Sequence, residues 1–131
     1  GKLMANVGFA AICAVTGQRV GQVLSNEWSW SLVESLVSET AAVARAKKIR
    51  LPYDDPVRWV KEFGSRMSNT RPSMLQDMEA GRPTEIDSLN GAIAREAELL
   101  GIAAPVNRLM TILVKALEEK TRMLGRAYGV V

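Results

Sequence analysis

Between Lys2 and Val15 the chain is apolar almost all the way round, with Leu3, Met4, Val7, Phe9, Ile12 and Val15 distributed over every face of a helix. A helix with no polar face is a buried helix, so the rest of the chain has to cover it. Two residues break the pattern. Lys2 and Asn6 stand one turn apart and therefore share a face. A lysine and an amide on one side of a buried helix call for a polar cavity or a partner. The other reading is a frayed, solvated first turn.

The whole chain has 131 residues, one domain by size, and enough length to bury a self-sufficient core. With 47% hydrophobic and 24% charged residues it is not a disordered sequence. No apolar run reaches the roughly 20 residues needed to span a bilayer. The opening segment lacks the basic start and cleavage site of a signal peptide. A cytoplasmic protein without a membrane partner is expected. Cys13 is the only cysteine, so no intrachain disulfide can form. There is no histidine. Ser-His-Asp and Cys-His nucleophilic catalysis are excluded within this chain, and a zinc site would have at most one of its preferred N or S ligands. No metal site is expected, and acid–base chemistry must rest on lysine, carboxylates or hydroxyls. The net charge of +3 is carried by scattered residues. Arg45, Lys47, Lys48 and Arg50 form the one local cluster, either a solvated helix end, where cations suit the dipole, or a phosphate-binding patch. Nucleic acid is not the expected partner.

Thr16 to Leu24, with Gly17 and Gly21, reads as a loop or broken turn. Ser25 or Asn26 caps a helix from Glu27 to about Lys48, whose core stripe is Trp30, Val33, Leu36, Val37, Thr40, Ala41 and Ala44. Trp28 and Trp30 cannot both face inward, so one is exposed, as a contact for another domain or subunit or simply as a half-covered surface residue. Asp54 caps the next helix, with Pro56 in its first turn and Val57, Val60, Phe63 and Met67 on its apolar side. Ser68 to Pro72 is a polar loop. Later, a helix from Thr84 to Leu100 turns Ile86, Leu89, Ile93, Ala97 and Leu100 inward and ends at Gly101. Pro105 opens a last helix carrying Leu109, Ile112, Leu113, Ala116 and Leu117, and Gly125 to Val131 reads as a loose tail. No alternating strand pattern is present. The fold class is all-α.

The stretch from Ser73 to Asp87 puts a hydroxyl, carboxylates and a helix junction into fifteen residues. Ser73 can cap a short helix carrying Met74, Leu75 and Met78. Gly81 is placed to end it in the left-handed conformation. Thr84 starts the next helix with Asp87 three residues on, close to a capping box. Taken singly, Ser73 is an N-cap and Glu85 a first-turn dipole partner. Taken together with Lys2 and Asn6, they would make an ammonium, an amide, a hydroxyl and a carboxylate around one pocket for a small oxygenated anion.

Ser73-Met74-x-x-Asp77, then Gly81-x-x-Thr84-Glu85-Ile86-Asp87, then Leu89-Asn90-Gly91, resembles the C-terminal domain of ketopantoate reductases (2-dehydropantoate 2-reductases). Lys2-Leu3-Met4-Ala5-Asn6 resembles the lysine-bearing helix of that family, and Pro105-Val106-Asn107 the start of its last long helix. The resemblance covers Lys2 to about Lys115. It implies a multi-helix domain of the 6-phosphogluconate dehydrogenase C-terminal-like fold. It also implies NADPH-dependent reduction of 2-dehydropantoate, or a related 2-oxo acid, to pantoate, on the route to pantothenate and coenzyme A. By this resemblance Lys2 is the catalytic lysine that protonates the developing alkoxide, and Glu85 the glutamate paired with the catalytic centre. Asn6 and Ser73 are the substrate-binding residues, while Asp77 is structural or supporting.

Two departures stand out. The family often carries a second asparagine one turn beyond the first, where this chain has Ala10, which puts ketopantoate itself in question as the substrate. The N-terminal Rossmann domain that binds NADP, with its strand, glycine-rich turn and helix, is not in this chain. The chain therefore reads as the substrate-binding C-terminal half, residues 1–131, whose partners are a 2-oxo acid and that Rossmann domain. Alone it is expected to be inactive. Apolar surface left uncovered makes a homodimer an expectation too. The alternative reading is a non-catalytic helical interaction or dimerisation module.

Overall fold

A computed structural model describes residues 2–127, with side chains for residues 2–124. The elements in chain order are α1 (Lys2–Thr16), α2 (Val20–Ser25), α3 (Glu27–Ala46), α4 (Pro56–Arg66), α5 (Ser73–Ala80), a single 3-10 turn (Ile86–Ser88), α6 (Asn90–Leu100) and α7 (Pro105–Ala127). There is no strand among the described residues. The all-α expectation holds.

Helix α1 is the axis of the fold. Every residue from Met4 to Ala14 is buried except Asn6, and α1 packs against α2, α3, α4, α5 and α7. Its small residues let neighbours approach. The closest fit involves α4: a Cβ added at Gly64 would lie 2.6 Å from Cζ of Phe9, so the ring of Phe9 sits directly on the α4 backbone. Trp30 closes the other side of Phe9, with ring centroids 6.3 Å apart. Trp28, by contrast, is 75% exposed, so of the two tryptophans it is Trp30 that turns inward.

Several boundaries differ from the sequence reading. Thr16 to Leu24 is not a loop throughout. Here α1 runs on to Thr16, Gly17 turns the chain at φ 72°, and α2 follows. The free amides at the start of α2 find acceptors on the 68–70 loop, Val20 N donating to Thr70 O (3.1 Å) and Gly21 N to Ser68 O (2.9 Å). This tertiary pairing rescues a helix too short to form alone. Asn26 is the cap of α3, its Oδ1 accepting from Trp28 N and Ser29 N, both at 3.0 Å. Asp55, not Asp54, caps α4 through Arg58 N at 3.1 Å. The basic cluster trails off the end of α3 as an exposed run, Lys47 reaching Glu96 at 3.4 Å.

The Ser73–Asp87 stretch divides at Gly81 as expected, with φ 71°. Its two helix starts do not match. Pro72 occupies the N-cap of α5 and Ser73 is the first helical residue, so no side chain caps that end. The helix expected from Thr84 is broken, because Thr84 is drawn to α7. Its hydroxyl donates to Glu118 Oε1, and its backbone N donates to the same oxygen at 3.1 Å. Asp87 faces Lys115 (2.9 Å) and Arg95 (3.7 Å) instead of closing a capping box. Only one 3-10 turn forms before α6 starts at Asn90.

The inward faces of α6 and α7 also need correction. Ile86 and Ala97 are buried, but Leu100 is exposed. On α7 the apolar stripe Leu109, Ile112 and Leu113 points outward and Ala116 is exposed, while Leu117 is half-buried. The face that enters the core is Asn107, Met110 and Val114. The end of α7 runs to Ala127, so residues 125–127 are helical and not loose tail, and Tyr128 to Val131 lie outside the described residues.

Candidate functional site

One stripe of α1, at positions 2, 5, 6, 9 and 10, forms a wall of a cleft of ≈ 350 Å³. Spacings of three and four put those residues on a single helix face. The opposite wall is the 70–74 segment with the first turn of α5, joined by Asp77 from the same helix. Phe63 and Met67 from the end of α4, Val20 from α2, and Glu85 and Leu89 from the broken junction complete it.

All four residues singled out from the sequence, Lys2, Asn6, Ser73 and Glu85, line this cleft. All four are exposed at its mouth, while Phe9, Ala10 and Val20 are buried beneath them. The cleft therefore grades from charged and wet outside to apolar inside. Asp77 also reaches it, held at 2.9 Å by Arg82 Nε across the Gly81 turn. That ion pair fixes the connection leading to Glu85.

Sequence reading missed two polar residues of the lining, Thr70 and Arg71. They belong to the polar loop from Ser68 to Pro72. The signal was their position immediately before Ser73, on the approach to a helix start. Arg71 is half-buried, and its Nη2 lies 2.5 Å from Oε1 of Glu79, the penultimate residue of α5. Gln76 Nε2 donates to the Arg71 carbonyl at 2.8 Å, which pins the backbone on the same helix.

A second cleft of ≈ 470 Å³ lies between the Gly81–Pro83 turn and α7, lined by Lys115, Glu118, Glu119 and Arg122 among others. Its charges are already engaged: Lys115 with Asp87, Glu118 with Thr84, Arg122 with Glu119, and Arg82 with Asp77. Larger as it is, it gathers no unspent chemistry. Cys13 is not a nucleophile either, since burial pushes its thiol up to about 12 and the thiolate is the reactive form.

The sequence model of the family described as "Ketopantoate reductase PanE/ApbA C terminal" matches residues 1–118. The 2-dehydropantoate 2-reductase of Pyrobaculum aerophilum is 33% identical over 118 residues, which is 90% of this chain and 42% of that protein. The crystal structure of a PanE/ApbA family ketopantoate reductase from Ralstonia eutropha superposes with a TM-score of 0.86 at 34% identity, covering 92% of this chain and 40% of the other. A D-mandelate dehydrogenase with NADH and anilino(oxo)acetate superposes with a TM-score of 0.82 at 29% identity, over 92% of this chain and 40% of its own. The chain thus spans about two-fifths of the length of the proteins it matches. With the match extending from the lysine-bearing start of α1 into α7, the chain belongs to the ketopantoate reductase C-terminal family.

Proposed function

We propose that this chain is the substrate-binding half of a cytoplasmic, NADPH-dependent reductase of 2-oxo acids, 2-dehydropantoate or a related acid, acting in pantothenate and coenzyme A synthesis. The observation that carries the reading is the meeting of Lys2, Asn6, Ser73 and Glu85 at the mouth of one cleft.

Among the described residues no strand is followed by a glycine-rich turn, so they offer no Rossmann-type phosphate cradle. NADP would be held by an N-terminal Rossmann domain facing the cleft. When bound, its reduced nicotinamide supplies a hydride to the 2-oxo carbon. The chain's own residues do the rest. The Lys2 ammonium donates a proton to the oxygen on that carbon, so that hydride and proton together yield the 2-hydroxy acid. Being exposed, Lys2 recovers its proton from water. Asn6 and Ser73 hold the acid by hydrogen bonds, and Glu85 lines the same mouth.

NADPH oxidation by the enzyme that joins this domain to its nucleotide-binding domain tests the reading, with a panel of 2-oxo acids beside Lys2→Ala. Turnover that collapses in the variant supports it. No turnover on any acid, from a folded protein that binds NADPH, removes it. A second reading, a helical self-association module, is favoured by the outward apolar stripe of α7.

A further inference from the structure

We infer that the cleft selects a 2-oxo acid with an apolar side chain, its carboxylate on Arg71 and its side chain against Phe9, Ala10, Val20 and Phe63. This rests on the reductase reading and narrows it to an acid without the hydroxyl of 2-dehydropantoate, which places the reaction outside pantothenate synthesis.

The cleft has two ends. Along α1, from Lys2 to Ala10, the wall advances by roughly 12 Å at 1.5 Å per residue. It passes from an exposed ammonium and amide to Phe9 and Ala10, which are 3% and 5% exposed. At that inner end the facing residues are Val20 and Phe63, and the contact between Phe9 and the α4 backbone at Gly64 closes the floor. One turn beyond Asn6, on the same face, stands a methyl group where any hydrogen-bonding side chain could have reached the substrate's far end.

The charged end carries two cations, Lys2 and Arg71. If Lys2 faces the oxygen that is reduced, the neighbouring carboxylate falls to Arg71. A guanidinium suits it: one nitrogen is tied to Glu79, which orients the group, and its other N–H donors form a planar fork matching a carboxylate. The acid then lies with its charged group outward and its carbon chain inward. Thr70 is the one hydroxyl-bearing lining residue near Val20, its carbonyl accepting from Val20 N at 3.1 Å.

The test is a matched pair that differs by one hydroxyl: 3,3-dimethyl-2-oxobutanoate against its 4-hydroxy derivative, with the enzyme that joins this domain to its nucleotide-binding domain. The acid without the hydroxyl is expected to show a kcat/KM higher by about ten- to a hundredfold, the discrimination an apolar pocket achieves against an added hydroxyl. Calorimetric binding of the two corresponding 2-hydroxy acids without nucleotide, where no turnover occurs, is expected to follow the same order. Ala10→Ser, a small change that adds a hydroxyl at the inner wall, is expected to narrow the ratio. Arg71→Gln is expected to raise KM for both acids about tenfold or more, with kcat nearly unchanged and the ratio preserved, as loss of a charge-assisted hydrogen bond predicts. Equal or better use of the hydroxylated acid overturns the inference alone, and its reversal in Thr70→Val would show which group binds the hydroxyl. Turnover of neither acid, nor of any other 2-oxo acid, removes the reductase reading and this inference with it.

Discussion

The carboxylate of Glu39, on α3, holds the start of α7 at Asn107. Its Oε1 accepts from Asn107 N and from Asn107 Nδ2, both at 2.9 Å, and its Oε2 accepts from Val106 N at 2.9 Å. An acidic side chain thereby satisfies the free amides of a helix N-terminus, with the dipole favouring the negative charge. The contact reaches further inward. Asn107 Oδ1 accepts from Asn90 Nδ2 at 3.0 Å, and that same nitrogen donates to Val7 O of α1 at 3.1 Å. Both asparagines are fully buried. Glu39→Ala leaves the buried backbone N of Asn107 without a partner and its Nδ2 with only Leu36 O at 3.3 Å, and should cost about 1.5–3 kcal/mol of stability. Urea unfolding checks this, and a loss within about 0.5 kcal/mol would show that the network does not depend on Glu39.

The same network explains what the sequence could and could not convey. Pro105 as the start of α7 was legible, because proline fits a first helical turn. The face α7 turns inward was not. Leu109, Ile112 and Leu113 recur at helical spacing as convincingly as Met110 and Val114, and spacing alone cannot choose between two apolar stripes. The choice is made by Asn107, a polar residue buried because Glu39 and Asn90 satisfy it. Lys2 and Asn6 sharing a face followed from periodicity. That Ser73 and Glu85 arrive at the same cleft depends on α5 packing on α1 and on Thr84 being pulled toward Glu118, neither of which is local.

Ser73 separates two roles that the sequence left together. With Pro72 in the N-cap and no side-chain cap bond at that helix end, the hydroxyl is not needed for α5. Ser73→Ala should change stability by no more than about 0.5 kcal/mol, as at an uninvolved exposed position. In the proposed reductase it should raise KM severalfold. A stability loss of about 1 kcal/mol with unchanged kinetics would return Ser73 to a capping role.

Gly64 tests how rigid the floor of the cleft is. A Cβ there would meet Phe9 Cζ at 2.6 Å and Leu24 Cδ1 at 3.1 Å, and the Phe9 ring, wedged between α4 and Trp30, has little freedom to withdraw. Gly64→Ala is expected to cost about 1–3 kcal/mol through overpacking, despite alanine's better helix propensity. Thermal unfolding is the measurement. Stabilisation by the variant would mean that the ring moves freely.

Cys13 gives a pH dependence whose sign is fixed. Burial raises its thiol from 9.0 to about 12, so above about pH 9 the unfolded chain releases a proton that the folded chain retains. The folded state then binds more protons, and stability falls as pH rises through this interval. Cys13→Ala should flatten that part of the stability profile between pH 9 and 11 in denaturant titrations. At pH 8 the native thiol should resist an aromatic disulfide reagent for as long as the protein stays folded and react promptly in denaturant. Fast native labelling would contradict its burial.

The outward stripe of α7 leaves a run of apolar side chains uncovered. Leu109 and Ile112 are each 55% exposed, and Leu113, Met123 and Leu124 continue the same helix toward its end. An exposed apolar patch of this kind marks an interaction surface. On the self-association reading the occupant is a second copy, because a helix packed against its own symmetry mate buries the stripe on both chains at once. Neither Leu109 nor Ile112 lines the cleft, so the association can be broken without altering the proposed chemistry. Leu109→Glu with Ile112→Lys should shift the chain from dimer to monomer in size-exclusion chromatography with light scattering, leaving its unfolding midpoint at low concentration nearly unchanged. A wild-type chain that remains monomeric up to high concentration would mean that α7 faces some other surface, and would remove the self-association reading.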